Sequence, residues 1–162
     1  MQKHCFKATV LVVISAISAA LLQTSAGAAS PFRTLHGSWS GSGNVQFEGG
    51  QTERLRCTAH YRDMGGGEAL GLAIRCASAS NRIEIRGRLN YNDGRVTGTW
   101  EERTFNASGT AAGRASDRRI SLRLAGTVSG SMNVTVSRSS QSVAINTQGT
   151  ALRAVRIGLR RR

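Results

Sequence analysis

The chain has 162 residues, with 22 basic against 9 acidic side chains and a formal net charge of +13. That length suits one domain around one core. Beyond the N-terminal segment no stretch is apolar for long enough to be a membrane-spanning helix, and the charge excess points to anionic partners rather than neutral ones.

In chain order, residues 1–28 read as a secretory signal peptide. Lys3 and Lys7 make a positive start, Ala8 to Leu22 form an apolar run, and "TSAGAAS" places small residues for cleavage after Ala28. The run falls short of the roughly 20 residues that a spanning helix needs. No cysteine follows the cleavage site, which argues against a lipoprotein anchor, and Cys5 leaves with the leader. Both lysines leave as well, so arginine is the only remaining basic residue apart from histidine, at about twice the number of acids. Such a leader implies a periplasmic or secreted protein. Residues 29–35 read as a disordered lead and 36–162 as a single β-barrel domain.

After residue 36 polar and apolar residues alternate, glycine is frequent, and turn signals recur every few residues. This predicts short antiparallel strands near 36–47, 52–62, 69–78, 82–91, 95–105, 108–115, 118–125, 127–137, 141–147 and 151–159. So many strands in so small a chain favour an all-β, antiparallel up-and-down barrel of eight to ten strands, because closing the sheet removes its edges. A β-sandwich is the alternative.

Two hairpins can be given a register. The segments "TERLRCTAHY" and "EALGLAIRCA" flank "GGG", and a four-residue loop over 65–68 sets Cys57 opposite Cys76 as a non-hydrogen-bonded pair. In an oxidising compartment two facing cysteines form a disulfide. The segments "NRIEIRGRLNY" and "RVTGTWEERTF" flank "NDG", a strong hairpin turn. That register sets Arg86 opposite Glu101 and Glu84 opposite Arg103 on the outer face, and Trp100 over the bare Gly87 on the inner face.

No catalytic constellation can be assembled. His36 and His60 lie on different strands without a close-spaced ligand partner, so no metal and no cofactor is expected. The serines form no nucleophile elbow, and "GSGNV" lacks the features of a phosphate-cradling loop. Most carboxylates fall at turns or opposite arginines. Glu102 is the exception: alternation aims it inward two residues after Trp100, so it joins Trp39, Tyr61, Tyr91 and Trp100 as a candidate ligand contact.

The arginines alternate outward. Arg54 and Arg56 share one strand's outer face, Arg86 and Arg88 a second, Arg119 and Arg123 a third, and these six are the candidate contacts to an anionic surface. Nucleic-acid binders interleave such residues with aromatic stacking platforms, whereas here the aromatics fall mostly inward, which disfavours nucleic acid.

Gly37-Ser38-Trp39 resembles the G-x-W element of the lipocalin and avidin (calycin) barrels, and Gly98 to Trp100 repeats it. The resemblance implies that the tryptophan closes a barrel end beside a basic residue late in the chain, here Arg153 or Arg156. The blocks "GSWSGSG", "TERLRC", "IRCASAS", "GTWEE" and "VRIGLRR" are also similar to those of small exported proteins of alphaproteobacteria. That similarity implies export and a β fold and carries no activity with it. The leading reading is therefore an exported, non-enzymatic barrel that binds a small apolar or amphiphilic ligand in the cell envelope. The alternative is a basic protein docking on anionic envelope lipid or polysaccharide.

Overall fold

A computed structural model describes residues 29–162; the predicted signal peptide and its cleavage site lie outside the described residues. A short helix α1 (Phe32–Leu35) leads into ten strands: β1 (Gly37–Phe47), β2 (Thr52–Met64), β3 (Ala69–Ala77), β4 (Arg82–Asn92), β5 (Arg95–Glu102), β6 (Ala107–Ser116), β7 (Arg119–Gly126), β8 (Ser129–Val136), β9 (Ser140–Gln148) and β10 (Leu152–Arg161). Each strand pairs antiparallel with its sequence neighbour, and β10 returns to pair with β1, closing an up-and-down barrel. The expected barrel is the observed fold, and the sandwich is set aside. Among the described residues no helix is long and apolar enough to cross a membrane.

The closing seam explains "GSWSGSG". Trp39, Gly41, Gly43 and Val45 point inward from β1, opposite Arg161, Leu159, Ile157 and Val155 of β10. A Cβ on Gly41 would lie 2.0 Å from the Gly158 carbonyl oxygen, and one on Gly43 would lie 1.9 Å from that of Arg156. The two strands can therefore curl this tightly against each other only where the inward position is bare.

Both registers derived from the sequence hold. Cys57 faces Cys76 and the two are disulfide-bonded, with Cα atoms 4.1 Å apart, the close approach of a non-hydrogen-bonded pair. Arg86 faces Glu101 and Gly87 faces Trp100. The side chains depart from the expected pairs. Glu84 faces Arg75 of β3 and makes its ion pairs with Arg75 and Arg86, at 3.5 and 2.9 Å. Arg103 has left the ladder, because β5 ends at Glu102; its backbone N–H alone reaches the Glu84 carbonyl. The Trp100 ring turns away from Gly87 toward β6, where a Cβ on Gly109 would lie 2.9 Å from it, and Leu72 covers Gly87 instead.

Residues 29–35 are not a loose lead. The Ser30 hydroxyl and the Arg33 guanidinium bond the carbonyls of Gly67 and Gly66, and Phe32 and Leu35 are buried at the end of the barrel where the 65–68, 93–94, 117–118 and 137–139 turns lie. The sequence pattern is too short to show this, because four residues carry no periodicity; only the barrel's need to cover its end supplies the reason.

Two stability outcomes follow. Gly43→Ala should destabilise the fold by about 3 kcal/mol, since backbone must move to admit the methyl group. Gly158→Ala, on the same seam but with open space at its Cβ, should be neutral or stabilise by about 0.5 kcal/mol. Denaturant midpoints at unchanged slope test the contrast. Replacing Cys57 and Cys76 together by serine should cost about 3 kcal/mol on the same measurement, and two free thiols in the unreduced wild-type protein would overturn the bridge.

Candidate functional site

The five inward candidates separate into two groups. Trp39, Tyr61 and Tyr91 belong to the α1 end. Trp39 is fully buried, its indole N–H donates to the Leu35 carbonyl at 2.7 Å, and the Arg161 guanidinium stacks 4.3 Å from the ring centroid. Arg161 also bonds the carbonyls of Thr34, His36 and Arg138, so one side chain ties α1, the tryptophan and the 137–139 turn together. This corrects the expected partner. Arg153 sits at the opposite end, paired with Glu48, and Arg156 reaches outward to the Ile145 carbonyl and Asn146. The reason is register: closing β1 on β10 sets residue 161 opposite residue 39.

Phe32 packs edge-on against Tyr91, with ring centroids 6.0 Å apart. Tyr61 donates its hydroxyl to Gln141 Oε1 at 3.1 Å inside the barrel, and burial pushes its pKa up to about 12, against the opposing effect of the Gln141 bond. The other side of that amide, Gln141 Nε2, is a buried donor with no hydrogen-bond partner among the described residues. Gln141 was legible as inward, since 141, 143, 145 and 147 alternate, but nothing in the sequence marked its isolation.

Trp100 and Glu102 lie toward the other end. The Trp100 indole donates to the Thr110 carbonyl at 3.2 Å and its ring stays half-buried. It belongs to a band of inward, half-buried apolar side chains that includes Ile74, Leu124, Met132 and Ile145. Alternation placed most of these inward; their residual exposure depends on how wide the barrel stays at this end. Glu102 is buried as alternation requires, but its oxygens are occupied. They accept from the backbone N–H groups of Glu84 and Thr104 at 3.0 Å and of Phe105 at 2.7 Å. The carboxylate thus caps the 103–106 turn from within and holds Phe105 exposed at its tip. Among the described residues no three His, Cys, Asp or Glu side chains converge.

Two concave regions lie on the outer wall. One, of about 920 Å³, gathers Arg56 with Arg75, Arg82 and Arg162; the other, of about 300 Å³, gathers Arg123 with Arg95 and Arg114. Of the other expected surface contacts, Arg86 is engaged by Glu84 and Arg88 lies 3.6 Å from the Met64 sulfur, while Arg54 and Arg119 stay exposed outside both regions.

Desolvation pushes the Glu102 pKa up, but the three backbone donors outweigh it and hold the carboxyl below its ordinary value. A carboxyl held low in the fold contributes stability in full above its unfolded pKa, near 4.3, and loses that contribution as pH falls through the folded value. Glu102→Gln should therefore cost about 1–3 kcal/mol at neutral pH, with wild type and variant converging in strong acid. Thermal unfolding midpoints across a pH series test this; a gap that persists unchanged into acid would refute it.

No family model matches the chain, and no curated protein is similar to it. The fold is similar to that of several solved structures, two of them as follows. Rv2717c from M. tuberculosis matches over 83% of this chain and 99% of its own, with a TM-score of 0.65 at 16% identity. The S-type phycobiliprotein lyase CPES from Guillardia theta matches over 81% and 89%, with a TM-score of 0.54 at 12% identity. At these identities the likeness is one of fold: the chain is a closed ten-strand antiparallel barrel of calycin-like architecture.

Proposed function

We propose that the protein is an exported, non-enzymatic barrel that holds a small apolar or amphiphilic ligand in its lumen, at the end away from α1. The observation that carries this reading is the asymmetry of the interior. One end is sealed by Phe32, Leu35, Trp39 and Arg161, while inward apolar side chains toward the other end keep contact with solvent. Ile74, Trp100, Leu124, Met132 and Ile145 would gain burial on binding, at about 25 cal/mol per Å² of apolar surface covered. Deeper in, the unpartnered Gln141 amide would meet a ligand's carbonyl or hydroxyl oxygen, relieving the cost of a buried, unmet donor. A carboxylate would fare worse there, since the adjacent Tyr61 stays neutral and offers no countercharge. The disulfide supports an exported protein, because such bonds persist in oxidising compartments. That a structure of similar fold is a phycobiliprotein lyase supports a barrel that accommodates small molecules.

A neutral apolar dye such as Nile red should bind and change Trp100 fluorescence. Met132→Trp or Ile145→Trp, filling the same space, should weaken that binding roughly tenfold or more, about 1.4 kcal/mol. Dye binding that is absent, or unchanged in both variants, would overturn the reading. Native mass spectrometry of the exported protein should show the mass of a bound small molecule.

A further inference from the structure

The larger outer groove is independent of the lumen. Its floor and walls come from two rows that cross β1 to β4 on the solvent side. In one, Ser42 stands beside Arg56, Ala77 and Arg82; in the next, Ser40 stands beside Thr58, Arg75 and Glu84. Strands about 4.8 Å apart make such a row roughly 15 Å long. Arg162 comes in from the β1 edge, where its backbone N–H bonds the Ser38 carbonyl, and Thr104 lines the β4 side. Small side chains in the middle and long ones around them leave a concavity of about 920 Å³ on a wall that would otherwise be convex.

The charge in the groove is unbalanced. Four arginines line it against one carboxylate, and that carboxylate, Glu84, is already shared by Arg75 and Arg86. Arg56, Arg82 and Arg162 make no ion pair among the described residues. Three guanidinium forks around a floor of hydroxyls form a receptor for carboxylates carried on a hydroxyl-bearing chain, because a guanidinium matches a carboxylate in two parallel hydrogen bonds. A flat bilayer does not enter a concavity, and no aromatic side chain lines this one to stack a nucleobase. We infer that the groove binds a carboxylate-bearing acidic polysaccharide, with Arg56, Arg82 and Arg162 pairing its charges and Ser40, Ser42 and Thr58 meeting its hydroxyls.

The test uses the processed, disulfide-bonded protein and polygalacturonate at low ionic strength, with neutral dextran, phosphatidylglycerol vesicles and poly(dT) as comparisons. Polygalacturonate should bind most tightly, and binding should weaken with salt. Replacing Arg56, Arg82 and Arg162 together by glutamine should lower affinity about tenfold or more and flatten the salt dependence by about 1 per arginine removed. Replacing Arg118, Arg119 and Arg138 by glutamine removes the same charge from the α1 end and should change affinity by less than about threefold. Ser42→Glu, which sets a carboxylate in the groove with every arginine retained, should also weaken binding and serves where the triple variant does not fold. Nile red binding in the lumen should be the same in all three. Equal losses in both arginine triples, tighter binding of vesicles or poly(dT), or no binding at low ionic strength would each overturn the assignment while leaving the lumen reading untouched.

Discussion

Closure of β1 on β10 is the constraint on which the rest depends. It joins strands from opposite ends of the chain, leaves no sheet edge open, and requires bare inward positions at Gly41 and Gly43 so that the two backbones can curl together. The same seam sets Arg161 opposite Trp39, and with that pairing the α1 end becomes a sealed one. "GSWSGSG" is thus one device with two jobs: its glycines admit the neighbouring strand, and its tryptophan closes the end that the strand brings within reach.

Sealing one end gives the interior a direction. Around Trp39 the buried side chains are close-packed and hydrogen-bonded to α1, whereas toward Trp100 the inward wall is apolar and half-exposed. Glu102 marks the rim between wall and turn. Its buried carboxylate accepts from three backbone donors there, so a residue with the profile of a ligand contact caps the turn. The exposed Phe105 is held in place by the same bonds.

The outer wall follows separate physics. Alternation puts the arginines outside, but which of them cooperate depends on strands that meet only in the closed sheet. Arg56 and Arg82 lie two strands apart in one row, and Arg162 joins them from the end of the chain. The lumen and the groove therefore share strands while presenting opposite chemistry, apolar within and cationic without, as period-two side-chain placement allows.

Much of this was legible in the residues alone. Alternation with recurrent turns marked ten strands and an all-β barrel; the loops "GGGE" and "NDG" gave the Cys57–Cys76 and Gly87–Trp100 registers, because hairpin pairing is local and a slip of one residue would turn apolar faces to water. Glu102 was rightly aimed inward, and the arginines outward. What only the tertiary structure decided depends on contacts between distant segments: Arg161 rather than Arg153 or Arg156 on Trp39, α1 folded into the barrel end, the Trp100 ring turned to Gly109, the Glu102 carboxylate spent on backbone donors, and Arg75, Arg82 and Arg162 gathered about Arg56. Local periodicity tells each strand which face is which; it carries no information on how far round the barrel a residue will find its partner.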